Sequence, residues 1–173
     1  MDWEHIVLIV LLVLVLIALR RVGSHRGEET RAARLMKEYK IMTAEKLAAA
    51  PEGELADAVV SRILARAQEM RRPDPVTVLA DMEHGNTVVY SVWVVCKEMA
   101  AGDARSLQSR RARSVTALAA ESLEAVGASA CAAAFRAMLE TGEEDAFRAA
   151  VQQEQPLALC EEYIRDHQED FID

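Results

Sequence analysis

The chain has 173 residues, with 20 Lys and Arg against 28 Asp and Glu, so its net charge is −8 at pH 7. This balance disfavours direct binding of nucleic acid, because contacts to phosphates need a basic patch. The three cysteines, Cys96, Cys131 and Cys160, form no CxxC pair, which argues against a zinc or redox site and indicates buried thiols in a reducing compartment.

The first distinctive stretch is residues 6–19 (IVLIVLLVLVLIAL), which is apolar throughout. With its flanks it extends over residues 3–22, roughly 30 Å of helix, which matches the hydrocarbon core of a bilayer. A cleaved signal peptide would begin with basic residues, whereas this segment begins with Asp2 and Glu4. The sequence therefore predicts an uncleaved transmembrane helix. The residues assigned to this membrane anchor are Trp3, Ile6, Leu12, Leu19, Arg20 and Arg21.

The charges around this segment predict its orientation. Arg20, Arg21 and Arg26 follow it and no Lys or Arg precedes it. Because basic loops stay on the cytoplasmic side, we expect a single-pass protein of the bacterial inner membrane with its N-terminus outside and its domain in the cytoplasm. The expected organisation is an anchor over residues 1–22, a juxtamembrane helix or linker over 23–42 and a helical domain over 43–173.

Residues 28–41 (EETRAARLMKEYKI) are predicted to form a helix with a basic face made by Arg31, Arg34, Lys37 and Lys40. This face has two interpretations, contact with anionic lipid headgroups or an ordinary solvated helix surface. Thr43 then begins a short helix that Pro51 ends. Residues 51–54 (PEGE) then start a longer helix with apolar residues at four-residue steps, which residues 71–75 (RRPDP) close.

The middle of the chain is ambiguous. Residues 76–82 suggest a short helix that stops at Gly85, with His84 near its C-terminal end, where the helix dipole favours a basic residue. Residues 86–100 (NTVVYSVWVVCKEMA) contain five valines, which is typical of a buried strand. No other segment offers a partner strand, so we predict a helix at the centre of the core, with Val89, Val92, Trp93 and Cys96 facing inward.

Four more helices are predicted after residue 102. The first begins near Ser109 and ends at Gly127, and the second covers residues 129–140. Residues 143–145 (EED) open a third, because acidic side chains favour a helix N-terminus, and Pro156 opens the last. The fold class predicted for the domain is all-α, a compact helical bundle or orthogonal array.

Two stretches carry a family resemblance. The first is residues 89–98 (VYSVWVVCKE), followed by Gly102 and residues 117–128, and the second is the ending, residues 159–171 (LCEEYIRDHQEDF). Both resemble the bacterial DNA-mimic-protein-19-like domain. Residues 55–60 (LADAVV) look similar to that family's opening helix. The resemblance covers roughly residues 43–171. The family typically has Asn-Gly-Gly-Phe followed by Gln and aromatic residues, and here residues 100–107 read AAGDARSL. The resemblance implies an all-helical fold and, in at least one branch, an acidic surface that imitates DNA and sequesters a DNA-binding protein.

Acidic residues are concentrated at the end of the chain. Residues 138–173 carry 2 Arg against 11 Asp and Glu, a charge of −9, while residues 27–137 carry 15 of each sign. This segment is interpreted either as a solubilising surface or as a docking face for a basic protein, including a nucleic-acid-binding one. The candidate partner-binding residues are Glu143, Glu144, Asp145, Glu161, Glu162 and Asp166.

No catalytic, cofactor-binding or metal-binding residues are predicted. Asp81, Glu83 and His84 lie close together but do not have a usual metal spacing, and His167 is interpreted as a packing residue. We expect a membrane-anchored, non-catalytic interaction module with a protein partner and no small-molecule substrate. The alternative is a structural component of a membrane complex that acts through the anchor and residues 28–50.

Overall fold

The computed structural model describes residues 31–72, 74–102, 105, 107 and 110–173. Within them the chain is helical and contains no strand, which confirms the all-α prediction. The helices are α1 (residues 31–38), α2 (Ala44–Ala49), α3 (Leu55–Glu69), α4 (Val76–Leu79), α5 (His84–Ala101), α6 (Arg110–Ala125), α7 (Ser129–Thr141), α8 (Asp145–Glu154) and α9 (Pro156–Asp166), followed by a 3-10 turn, Gln168–Asp170.

Helix α5 is the centre of the fold. It packs against α3, α6 and α9, and all five of its valines are buried. A helix that is surrounded by other helices can be apolar on most of its surface, so its valines need no sheet. The predicted core positions Val89, Val92 and Cys96 are buried, and Trp93 is partly buried.

Several helix ends follow from local chemistry, as predicted. The Thr43 hydroxyl accepts a hydrogen bond from the Lys46 N–H and caps α2. Gly127 and Gly142 have φ angles of +84° and +77° after α6 and α7, and such angles favour glycine. Pro156 occupies the first turn of α9, where the missing N–H does no harm. The predicted cap at Ser109 lies outside the described residues.

The folded domain begins before residue 43. Leu35, Tyr39 and Met42 are buried in the same core as the later helices. The region predicted as a juxtamembrane helix or linker therefore packs, from residue 31 onward, against the core of the domain.

The last residues form a strap across three parts of the fold, which we call the C-terminal clamp (residues 168–173). The buried Arg62 guanidinium donates to the Phe171 carbonyl and to the Asp173 carboxylate, each at 2.6 Å. The Met42 N–H donates to the Asp173 carboxylate at 2.7 Å, and the Asp173 N–H donates to the Met42 carbonyl at 3.0 Å. Phe171 is fully buried, so the clamp contributes one side chain to the core.

The interpretation of His84 and Gly85 as the end of a helix is wrong. α4 ends at Leu79, and both residues lie in the first turn of α5. A Cβ atom at Gly85 would lie 2.7 Å from Asp170 Oδ2 and 2.9 Å from Phe171 Cζ. The glycine is required here by the close approach of the C-terminal clamp and not by a turn.

The predicted localisation as a single-pass inner-membrane protein is also corrected. A span needs about 20 apolar residues in one helix, and no helix in the described part of the chain is long and apolar enough to cross a membrane. The segment assigned to the anchor, residues 1–22, lies outside the described residues.

Candidate interaction surface

One of the predicted partner-binding residues, Glu161, is engaged inside the fold. It is only 3% exposed, and its two carboxylate oxygens accept hydrogen bonds from the N–H groups of Gly53 and Leu55, each at 3.0 Å. These groups lie at the N-terminal end of α3, where N–H groups have no partner within the helix and the dipole favours an anion. Glu161 of α9 therefore caps α3 and is not available to a partner.

Two other C-terminal carboxylates bind helix N-termini in the same way. Glu154 accepts from the N–H groups of Ala130 and Cys131, at 3.0 and 2.8 Å, at the start of α7. The hydrogen bond from the Cys131 N–H is the main cause that lowers the pKa of Glu154 below its usual value. Asp170 accepts from the Gly85 N–H at 2.9 Å, at the start of α5. The sequence gives no sign of these long-range caps.

Two further carboxylates have internal partners. Glu144, at the start of α8, forms an ion pair with Arg148 at 2.7 Å, and Arg148 also donates to the carbonyls of Met99 and Gly102 at the C-terminal end of α5. Asp173 is held in the C-terminal clamp. Of the 11 acidic side chains in residues 138–173, five are thus used within the fold.

The remaining six acidic side chains of this segment (11 − 5 = 6) are mostly exposed and have no ion-pair partner among the described residues. We call them the outer acidic set. They are Glu140, Glu143, Asp145, Glu162, Asp166 and Glu169. Four of the six predicted partner-binding residues belong to this set, namely Glu143, Asp145, Glu162 and Asp166.

The outer acidic set does not form one continuous patch. Glu143 and Asp145 flank Glu144, which lies near the C-terminal end of α5. Asp166 lies near the other end of α5, because it is followed by the clamp and Asp170 of the clamp binds the N-terminal end of α5. These two ends are about 20–25 Å apart, because α5 rises 1.5 Å per residue. Glu162 and Asp166 are one turn apart on α9, about 6 Å along its axis. Together with Glu169 they form the second group of the outer acidic set.

Beside Glu162 lies an open cleft of about 430 Å³ between α3 and α9, which we call the α3–α9 cleft. Its size falls within the usual range for ligand sites. The charged residues that line it are Arg31, Glu52, Asp57, Lys97, Glu161, Glu162 and Arg165.

Asp57 organises one wall of this cleft. Its carboxylate accepts a hydrogen bond from Trp93 Nε1 at 2.7 Å, pairs with Arg31 at 3.0 Å and lies 3.7 Å from Lys97 Nζ. The Lys97 ammonium lies 5.7 Å from the Trp93 ring centroid, which is within cation–π range. None of these contacts is predicted from the sequence. The four-residue spacing of Trp93 and Lys97 is a helical signal that could have paired those two, but nothing in the sequence connects them to Asp57.

The basic face predicted on α1 is largely neutralised within the domain. Arg31 pairs with Asp57. Arg34 pairs with Glu54 at 2.6 Å and with Glu38 of α1 at 2.8 Å. The hydrogen bond from Arg34 is the main cause that lowers the pKa of Glu54. The apolar residues Leu35 and Tyr39 of this region are buried in the core of the domain.

The cysteines are free and buried, as expected. Burial raises the pKa of Cys96 and of Cys131 to about 12 and also raises the pKa of Cys160. Such thiols hold almost no thiolate at neutral pH and make poor nucleophiles. Within the described ranges, no group of three or more His, Cys, Asp or Glu side chains is placed to hold a metal ion. His167, interpreted as a packing residue, is exposed; its ring stacks on Tyr163 with 4.2 Å between ring centroids, and its Nδ1 lies 3.0 Å from the Tyr163 carbonyl oxygen.

Comparisons of this chain with protein-family models, with curated proteins and with solved structures found no match.

Proposed function

We propose that the domain is a non-catalytic binding module that captures a basic protein through its outer acidic set. The observation that carries this proposal is the distribution of charge over α8, α9 and the clamp. Both arginines of residues 138–173 are paired with acidic side chains, while six carboxylates keep no cationic partner among the described residues. Each of the two separate groups of these carboxylates attracts a partner of the opposite charge.

The physical effect of such a surface is mainly kinetic. Single exposed ion pairs contribute only about 0–1 kcal/mol each. Several like charges together raise the rate of encounter with a basic partner, and this attraction weakens above physiological salt. The module would therefore bind its partner quickly and release it as the ionic strength rises.

The resemblance to the DNA-mimic-protein-19-like domain suggests a finer version of this proposal, in which the partner is a DNA-binding protein. Carboxylates of the outer acidic set would then stand in for DNA phosphates. Glu162 and Asp166 support this version because they stand in a row on one face of α9. The basic groove of a DNA-binding protein would recognise such a row.

The test is affinity capture with the full chain from the cell that makes it, washed at low and then at raised salt. One variant carries Glu162→Gln, Asp166→Asn and Glu169→Gln. The matched control carries Glu45→Gln, Glu83→Gln and Glu121→Gln, which remove the same charge from exposed sites elsewhere. We expect the wild type and the control to retain proteins of net positive charge that elute as salt rises, and the first variant to lose them. Equal capture by all three proteins, or capture that salt does not weaken, would refute the proposal.

If basic partners are recovered, adding double-stranded DNA to the wash separates the two versions of the proposal. A DNA-binding partner held in place of DNA should be released by DNA at constant salt. A partner that stays bound is recognised through another surface, and the DNA-mimic version is then wrong.

A further inference from the structure

We infer that the α3–α9 cleft binds a small zwitterion, an amino acid or a short peptide that has both a free ammonium and a free carboxylate. This inference concerns a different kind of ligand from the basic protein proposed above and does not depend on that proposal. It rests on four charged groups of the cleft whose hydrogen-bonding capacity is unused within the described structure.

Two of these groups are cationic. Lys97 Nζ and the Arg165 guanidinium each lie 3.7 Å from the nearest carboxylate oxygen, on Asp57 and Glu161 respectively. This distance exceeds the usual hydrogen-bond range of about 2.7–3.2 Å. Among the described residues neither side chain donates a hydrogen bond to the protein, and each is nearly half exposed. Their N–H groups can therefore donate hydrogen bonds to the carboxylate of a ligand.

The other two groups are anionic. Glu52 and Glu162 are exposed carboxylates on the cleft walls, and neither has an ion pair or a side-chain hydrogen bond within the part of the chain that the structure describes. Asp57 and Glu161 also line the cleft, but Arg31 and Trp93 occupy the first and two backbone N–H groups occupy the second. The cleft therefore has two cationic and two anionic groups with unused hydrogen-bonding capacity, and the two cationic ones each keep a long ion pair of 3.7 Å with the protein.

This balance selects the ligand class. A simple anion would face Glu52 and Glu162, and a simple cation would face Lys97 and Arg165, so a ligand of either kind leaves like charges opposed. A zwitterion satisfies both pairs at once and brings no net charge into the cleft. Leu157 and Ala158 on the α9 wall provide apolar contact for its backbone.

The experiment uses Trp93 as a reporter, because its indole N–H is bonded to Asp57 in the cleft wall. In the full chain carrying Trp3→Phe, the only indole N–H signal in a ¹⁵N–¹H spectrum is that of Trp93. The probes are glycine, diglycine, triglycine and tetraglycine, which separate the two charges by a further 3.3–3.6 Å or so per residue. Each is titrated to about 20 mM, a concentration that saturates a millimolar site.

We expect the Trp93 signal to shift in a saturable way, with the tightest binding at one length of the series. A maximum at glycine identifies an amino-acid site, and a maximum at a longer probe identifies a peptide site. N-acetylated or C-amidated probes of the best length lack one charge each and should bind at least tenfold more weakly. If no probe shifts the signal, or if capped and uncapped probes bind equally, the inference is wrong.

Two variants test the location of the site. Ala158→Phe fills the cleft from an exposed position, and Ala149→Phe places the same ring on an exposed position of α8 as a control. The first should abolish the titration and the second should leave it unchanged. Lys97→Gln should weaken binding of uncapped probes at least tenfold while leaving capture of basic proteins unaffected. Binding that survives Ala158→Phe would place the ligand elsewhere and overturn the inference.

Discussion

Glu161 allows a direct test of how the C-terminal carboxylates are used. In Glu161→Gln the side chain keeps its volume but loses its charge and one of its two acceptor oxygens. One of the N–H groups of Gly53 and Leu55 would then face an amide NH₂, which is itself a donor. Leu55 is fully buried, so its N–H would have no water to replace the lost acceptor.

The size of the effect follows from these losses. A hydrogen bond to a charged group contributes about 1.5–3 kcal/mol, and a buried donor without a partner costs about 1–3 kcal/mol. Removal of the negative charge also relieves the desolvation of a buried carboxylate, which offsets part of this loss. We expect a net loss of about 2–3 kcal/mol in the free energy of unfolding, which lowers the urea midpoint by roughly 1 M for a slope of about 2 kcal/mol per M.

The neighbouring residue is the matched control. Glu162 is exposed and has no side-chain hydrogen bond in the described structure, so Glu162→Gln should change the free energy of unfolding by less than about 0.5 kcal/mol. The assay is urea unfolding followed by the far-UV circular dichroism of the helices. Superimposable unfolding curves for the two variants would show that Glu161 does not cap α3, and the reasoning would fail.

Three more results are expected. The lowered pKa values of Glu54 and Glu154 make a contribution to stability that is fully present above the unfolded pKa of about 4.3 and is lost as the pH falls through the folded values. The urea midpoint should therefore fall below about pH 4.3, and it should fall less steeply with pH in a variant that carries Gln at both positions. The same dependence of the midpoint on pH in the variant would contradict the lowered pKa values. The three buried thiols should not react with a thiol reagent at pH 8 until the protein unfolds, because burial raises their pKa, and fast reaction of any of them in the native protein would contradict their placement. Gly85→Ala should destabilise the protein by about 1–2 kcal/mol in thermal unfolding. Overpacking against Asp170 costs about 1–3 kcal/mol, which outweighs a gain in helix propensity of up to about 1 kcal/mol. A higher melting temperature would show that the clamp moves aside without cost.

The helices of this fold were predictable because their signals are local. Thr43, Gly127, Gly142 and Pro156 act on the residues next to them, and the structure uses each as its local chemistry indicates. The five valines of α5 are also typical of a strand, and only the lack of any partner strand in the sequence favoured the helix that the structure has.

The use of the C-terminal carboxylates was not predictable in this way. Glu161 and Glu162 are adjacent and chemically identical, yet one is buried as a helix cap and the other is exposed. The difference arises from which side of α9 meets α3, and the partner N–H groups lie more than 100 residues away in the chain. Gly85 was misread for the same reason, because its constraint comes from residues near the end of the chain.

The C-terminal clamp has a consequence for the synthesis of this protein on the ribosome. Met42 and Asp173, which bond to each other, are separated by 131 positions. At about 5–20 residues per second, roughly 7–26 s pass between the translation of the first and that of the second. During that interval Arg62, once made, lacks both of its hydrogen-bond acceptors, because both lie in the C-terminal clamp. The domain can therefore close around the clamp only after Asp173 has left the exit tunnel.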